Sequence, residues 1–337
     1  MRTAIYGAGS LGTILGAYLT EAGEDITLVN HNVAQIGALM RNGATVTGKV
    51  EKNVRVKAVT PEMMEGEYDA VFLMTKQTDN EESAKYISRF LGDSGVIVTV
   101  QNGLPEPALE AELGSDRVIG CVVGWGATLK EPGVSELTSD PDELNFDIGR
   151  LRGGSDDTLL SIKALLEKMG TVHIRENFIG MRWSKLLINA AFSGMSAVMG
   201  ATFGEVARDK VGVRCAQAVI KECIDTAHAS GVEFEPVEGK DIAKLFDYDT
   251  PLKKTLSRQL IPLGIRAHRD IKASMLQDLE KGRRTEVDAI NGVVCETGDR
   301  TGVDTPVCDM IVRTVHEIEG GEKKPGRENL RLFENIV

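Results

Sequence analysis

The chain has 337 residues, with 39 Lys and Arg against 50 Asp and Glu, a formal net charge of −11. That length suffices for two domains and for a core that needs neither metal nor disulfide staples. Hydrophobic residues at 42% and charged residues at 26% exclude bulk disorder, and the negative balance argues against nucleic acid or an anionic membrane surface as partner.

Residues 3–6 are a short β-prone run, followed at once by Gly7-Ala8-Gly9-Ser10-Leu11-Gly12. The stretch 11–21 then has helical spacing and stops at Gly23, and 25–29 is a second strand. Further strands are expected at 53–59, 70–74, 95–100 and 117–123, with helices at 82–91 and 105–113. Such alternation predicts a parallel sheet with right-handed crossovers. A closing hairpin of the same domain is expected over 137–151. Past Arg175 the periodicity turns helical, at 183–198, 214–230, 241–246, 286–300 and 307–319. The expected architecture is an α/β N-terminal Rossmann-type doubly wound domain (1–174) plus an all-α C-terminal domain (175–319). The Gly320-Gly321 break leaves 320–337 as a loosely held tail.

Cys121, Cys215, Cys223, Cys295 and Cys308 form no CxxC pair and show no ligand spacing, so buried reduced thiols are expected. No apolar run reaches the ~18 residues that span a bilayer. Met1-Arg2 leads straight into a strand, so the expectation is a cytoplasmic protein with no signal peptide. His31, His173, His228, His268 and His316 are scattered, which disfavours a zinc or magnesium enzyme.

The first constellation with chemistry is Gly7-x-Gly9-x-x-Gly12, between a strand and a helix within a βαβ unit. Gly7 allows the tight turn, Gly9 the approach of a pyrophosphate, and Gly12 close helix–strand contact. The helix start adds N–H donors and a positive dipole end. Residues 7–12 are therefore the candidate dinucleotide cradle. After the second strand, where an NAD site carries a carboxylate on the ribose, stand Asn30, His31 and Asn32. Asn30 and His31 can donate to a 2′-phosphate, which favours NADP(H) over NAD. Lys76 and Asn102 follow the strands at 70–74 and 95–100, at the strand ends that face the ligand crevice of an open α/β sheet.

In the helical half, Lys185 and Asn189 are four apart on one face, among Leu186, Leu187 and Ile188. A polar pair in so apolar a helix must find partners, and a partly desolvated lysine is a better proton donor near neutral pH. Thr285 and Asp288 fit a capping box opening the helix 286–300, with Glu286 in its first turn. Gly282 leaves Ser274–Gln277 to face a cleft.

Together these segments (GAGSLG at 7–12, Lys76, QNG from Gln101, RWSKLLIN from Arg182 and SMLQDLEKGRRTEVDAING from Ser274) resemble the ketopantoate reductase family over nearly the whole chain. The resemblance implies NADPH-dependent reduction of 2-dehydropantoate to pantoate, on the route to pantothenate and coenzyme A. It implies Lys185 as the catalytic lysine and Glu286 as the acid that binds the substrate hydroxyl. Asn102, Asn189 and Ser274 would hold the substrate, and Lys76 would lie near the adenosine phosphate. The chain departs from the family pattern at Ser193-Gly194, where an Asn-Pro pair is common, and at His31, where an Arg is common. Gly124-Trp125-Gly126 is expected to add bulk near the site. A reductase of another 2-ketoacid or a lactone, and a non-catalytic NADP sensor, are the alternatives. A small 2-ketoacid is the expected partner, and a homodimer the expected assembly, if any.

Overall fold

The computed structural model describes residues 1–237 and 239–337, with the backbone alone at Asp79 and Ala267. The chain divides into two compact units, Met1–Gln101 with Pro105–Phe178, and Asn102–Leu104 with Ile179–Val337. In chain order the first unit contains β1 (Arg2–Tyr6), α1 (Ser10–Glu21), β2 (Asp25–Val29), α2 (Val33–Asn42), β3 (Ala44–Gly48), β4 (Lys52–Val54) and β5 (Lys57–Val59). It continues with β6 (Tyr68–Leu73), α3 (Asn80–Ser88), β7 (Leu91–Thr99), α4 (Glu106–Leu113), β8 (Val118–Val123), β9 (Ala127–Glu131) and β10 (Val134–Leu137). It closes with β11 (Asn145–Gly149), α5 (Asp157–Leu166) and β12 (Thr171–Ile174).

Eight strands form one sheet in the order β12-β11-β8-β7-β6-β1-β2-β5. The pairing is parallel except between β11 and β8. Central strands are near-continuous apolar runs because helices cover both faces. Alternate residues feed two separate cores: Ile5, Phe72, Val96 and Val98 on one side, and Ala4, Tyr6, Val71, Leu73 and Ile97 on the other. A doubly wound sheet is thus what the alternation of strands and helices produced.

Two expected elements differ. The run 53–59 is not one strand: β4 pairs antiparallel with β3 in a second sheet, ordered β4-β3-β10-β9, while β5 pairs parallel with β2. At the break, Arg55 leaves the strand path and its guanidinium donates to the Arg41 carbonyl at 2.6 Å. Nor is 137–151 a hairpin. β10 joins the small sheet and β11 the large one, across a 3-10 turn whose Asp140 side chain accepts from the Asp142 N–H.

The second unit contains α6 (Phe178–Met199, whose first residue falls in the first unit), α7 (Phe203–Arg208), α8 (Gly212–Ala229), α9 (Ile242–Phe246) and α10 (Pro251–Gly264). After these come α11 (Ser274–Glu280), α12 (Val293–Thr301) and α13 (Pro306–Glu319), around one apolar core. The expected helix 286–300 begins as a π-turn over Asp288–Gly292 and only then becomes α12. The capping box does not form. The Thr285 hydroxyl accepts from Val287 N–H, two residues on, and the Asp288 carboxylate pairs with His316, 3.0 Å away on α13.

The expected loose tail is docked instead. Gly326 N–H and the Asn329 amide both donate to the Val198 carbonyl near the end of α6, and Phe333 is fully buried. The interior also holds a carboxylate: Glu222 on α8 accepts the Val307 and Cys308 N–H groups, each at 2.9 Å, at the start of α13. Burial pushes its carboxyl up to about 7 despite those two donors. Among the described residues no helix is long and apolar enough to cross a membrane.

Candidate active site

The glycine loop connects β1 to α1, and its three glycines do three different jobs. Gly7 has φ +109°, and a Cβ there would lie 2.6 Å from the Met74 carbonyl carbon, so only glycine fits. A Cβ on Gly12 would meet the Gly7 oxygen at 2.6 Å and Ile5 at 3.1 Å, which measures how closely helix and strand approach. At Gly9 a Cβ would meet nothing nearer than 3.9 Å. Packing thus leaves room for a Cβ there, room that a ligand lying against the backbone would need.

The N–H groups of the loop are not equivalent. Those of Gly7 and Ala8 donate to the Val29 carbonyl and that of Gly9 to the Gly7 carbonyl. The first turn of α1, at Ser10, Leu11 and Gly12, receives no side-chain cap. An anion at this helix start would find those donors and the positive dipole end. The cradle therefore fits a pyrophosphate.

At the end of β2, the Asn30 side-chain oxygen accepts from Asn32 N–H at 2.8 Å, and Asn32 itself caps α2 through the N–H groups of Ala34 and Gln35. His31 is exposed, with Nε2 3.0 Å from the Tyr6 hydroxyl. Burial pushes the Tyr6 hydroxyl up to about 12, so it keeps its proton. When it donates to Nε2, the remaining ring proton of His31 stands on Nδ1. One carboxylate was invisible in the local sequence: Glu62, on the turn after β5, interacts electrostatically with His31 and with Tyr6, and is held below the usual carboxylate range chiefly by its own backbone N–H.

Lys76 is half-buried just beyond β6 and precedes a 3-10 turn over Gln77–Asp79. Beyond β7, Gln101 is buried. It donates to the Thr75 carbonyl at 2.9 Å and to Asn80 at 2.6 Å, and accepts from Thr99 at 3.0 Å. It ties the ends of β6 and β7 together immediately before Asn102, a fixing role that only a buried amide at a strand end would have suggested. Asn102 is half-buried and Gly103 turns the chain at φ +77°.

In the helical unit Lys185 and Asn189 are both half-buried on successive turns of α6. Ser184 anchors that turn by donating to the Gly180 and Glu235 carbonyls, and Arg182 is 1% exposed. Ser193, a further turn on, donates to the Asn189 side-chain oxygen at 2.5 Å. That bond fixes which way the amide faces and turns its NH2 group the other way. Gly194 has a separate reason: a Cβ would lie 2.6 Å from the Asn291 side-chain oxygen and 2.7 Å from Ile311. The Ser193-Gly194 departure thus combines a group that orients Asn189 with a close approach of α6 to the π-turn.

Ser274 is exposed at the first position of α11. Glu286 is half-buried on a pinned stretch of backbone, where Thr285 N–H donates to Glu319 at 2.6 Å and Val287 N–H to the Thr285 hydroxyl. The glycine loop, Asn30, His31 and Lys76 belong to the first unit, and Asn102, Lys185, Asn189, Ser274 and Glu286 to the second. Trp125, expected to add bulk near the site, is itself buried. It is 6% exposed in the sheet core, edge-on to Phe146.

Sheet, glycine loop and helix start define a Rossmann-type protein with a helical second unit. Residues 3–151 match the family model of ketopantoate reductase PanE/ApbA, and residues 177–319 that of its C-terminal domain. The chain belongs to the ketopantoate reductase family and is an oxidoreductase. It is 28% identical over 327 residues to the 2-dehydropantoate 2-reductase of Pyrococcus horikoshii, covering 96% of this chain and 100% of that one. It is 29% identical to the enzyme of that name from Archaeoglobus fulgidus, covering 95% and 98%. Among solved structures, a PanE/ApbA family ketopantoate reductase from Ralstonia eutropha superposes with TM-score 0.80 at 24% identity, covering 96% and 99%. A D-mandelate dehydrogenase complexed with NADH and anilino(oxo)acetate gives 0.79 at 21%, covering 95% and 99%, a likeness of fold.

Proposed function

We propose that the chain reduces the ketone of a 2-ketoacid, with 2-dehydropantoate giving pantoate as the reference reaction and NADPH as the preferred reductant. The observation that carries this reading is the half-buried Lys185 with Asn189 one turn away, flanked by the apolar run Leu186, Leu187 and Ile188. The loop 7–12 would hold the pyrophosphate, with Asn30, His31 and Lys76 toward the adenosine phosphates. A reduced nicotinamide, when bound, supplies the hydride.

What the chain supplies is position and a proton. The Lys185 ammonium donates a hydrogen bond to the ketone oxygen, stabilises the negative charge that develops there, and transfers its proton to that oxygen. The Asn189 NH2 group, oriented by Ser193, and the Asn102 amide grip the acid end. Ser274 and Glu286 take the substrate hydroxyl, Glu286 as acceptor. Water restores the proton to Lys185 afterwards.

The test is a pH series of steady-state rates for the wild type and Lys185→Ala, with NADPH binding measured separately. General acid catalysis is typically worth about 10²–10⁴ in rate. The variant should lose at least a hundredfold in kcat, keep its cofactor affinity, and lose the basic limb of its kcat profile. Retention of more than about a tenth of the activity would show that the proton comes from elsewhere.

A further inference from the structure

Lys185, Ile188, Asn189 and Phe192 follow one another on a single face of α6, at spacings i, i+3, i+4 and i+7. The two apolar members of that stripe, together with Leu187 from outside it, line a cavity of about 350 Å³ inside the helical unit. Its other walls include Ile220 of α8, Phe246 of α9, Ile261 near the end of α10, and Ile265 just beyond it. The charged or titratable lining residues, Lys240 and His268, are both exposed and so belong to the rim. Ile220, Ile261 and Ile265 are buried and form the depth.

Ile188 lies three residues, about 4.5 Å along the axis, beyond Lys185 and directly before Asn189, so the cavity begins within one helical turn of both. That is within the length of a ketoacid whose carboxylate and ketone lie at Lys185 and Asn189. Its size is in the range of pockets that enclose a whole small ligand, about 300 Å³ and upward. Among the described residues no polar side chain lines its depth, so a hydroxylated side chain would find little there to replace its water. A phenyl or branched alkyl group would lose nothing and fill more of the space.

We propose that this cavity receives the side chain of apolar 2-ketoacids, while the hydroxylated side chain of 2-dehydropantoate turns to Ser274 and Glu286, so that the chain also reduces 2-ketoacids with bulky apolar side chains, at least as efficiently as 2-dehydropantoate. The inference rests on the reading of Lys185 and Asn189 as the groups that hold the ketoacid end.

The experiment measures kcat/KM with NADPH for 2-oxobutanoate, 4-methyl-2-oxopentanoate, phenylpyruvate and 2-dehydropantoate, on the wild type and on Gly264→Phe. Gly264 closes α10 at the cavity, and a Cβ there meets only Phe246, at 3.7 Å, so a large side chain enters the space without displacing the core. For the wild type kcat/KM should rise by roughly fourfold per buried methylene along the series. In the variant the ratio of phenylpyruvate to 2-oxobutanoate should fall by about tenfold or more, the usual discrimination of an apolar pocket.

Independently of turnover, calorimetry on the wild type saturated with NADP⁺ should show anilino(oxo)acetate binding at least tenfold more tightly than methylamino(oxo)acetate, the same core without the ring. Turnover of small ketoacids with no gain from side-chain size, or equal affinities for the two oxo-acetates, would overturn the cavity assignment and leave the parent reading standing. Absence of turnover with every 2-ketoacid would overturn both.

Discussion

Under the proposed function, the glycine loop of the first unit and the lysine helix of the second recognise ligands by opposite means. The loop works by what is missing: Gly7 and Gly12 let turn, strand and helix close up without Cβ atoms, and the start of α1, with no side-chain cap, offers backbone donors and a helix dipole. The helix works by what is present: Lys185, Asn189 and Ser193 stand on one side of α6, each needing a neighbour to fix its direction. A site made from backbone tolerates little change of shape but needs few partners. One made from side chains depends on residues far away in the chain, and the polar interior of the helical unit is where that dependence is greatest.

Glu222 gives the largest effect by which the contrast can be broken. Its folded carboxyl, raised to about 7, stays protonated below that pH while the unfolded chain ionises near the ordinary glutamate value of 4.5. Stability from this group is complete below 4.5, declines as pH climbs, and is lost above 7. The decline amounts to roughly 3 kcal/mol, at 1.36 per unit. Glu222→Gln should be destabilised at pH 5, because an amide offers only one acceptor to two N–H groups. It should also lack the decline between pH 5 and 8. Urea unfolding at four pH values for both proteins would show parallel curves if Glu222 is not the group concerned.

The loop offers a smaller effect that separates fold from ligand. Gly9→Ala should unfold at the temperature of the wild type, since its Cβ meets no protein atom within 3.9 Å, yet bind NADPH about tenfold more weakly. Gly12→Ala should lower the unfolding temperature itself, because its Cβ would collide with the Gly7 oxygen. Calorimetric melting with and without cofactor distinguishes the two, and identical behaviour of both variants would remove the ligand argument for Gly9.

The smallest effect concerns cofactor choice. An exposed carboxylate beside His31 opposes a 2′-phosphate, so Glu62→Gln should raise the NADPH-to-NADH affinity ratio by about two- to fivefold at low salt. The change should shrink as ionic strength rises. An unchanged ratio in fluorescence titrations at both salt levels would place Glu62 away from the phosphate.

What could be read from the sequence follows the same division. The strand, loop and helix at 2–21 were legible because each signal is local: an apolar run, glycines at fixed spacing, a helical stripe. Lys185 and Asn189 were legible as a pair because four residues make one turn. Glu62 was not, since it reaches His31 only when β5 pairs beside β2. Asp288 looked like a cap because the spacing from Thr285 suits one, but His316, 28 residues on, competes for its carboxylate. The break at Gly320-Gly321 concealed Leu330 and Phe333, whose spacing of three already marked a buried face.

That docked segment has a consequence for how the protein comes into being. The Val198 carbonyl, close to the end of the helix bearing Lys185, takes its donors from Gly326 and Asn329. During synthesis, which proceeds from the N-terminus with domains folding as units, the first unit can mature while the second still lacks this clasp. The nascent chain can thus possess a finished glycine loop well before the helix bearing Lys185 has its permanent surroundings. A ribosome stalled before Gly326 would hold a polypeptide with its glycine loop complete but α6 unfastened. Messages cut short in this region should therefore yield binders without turnover.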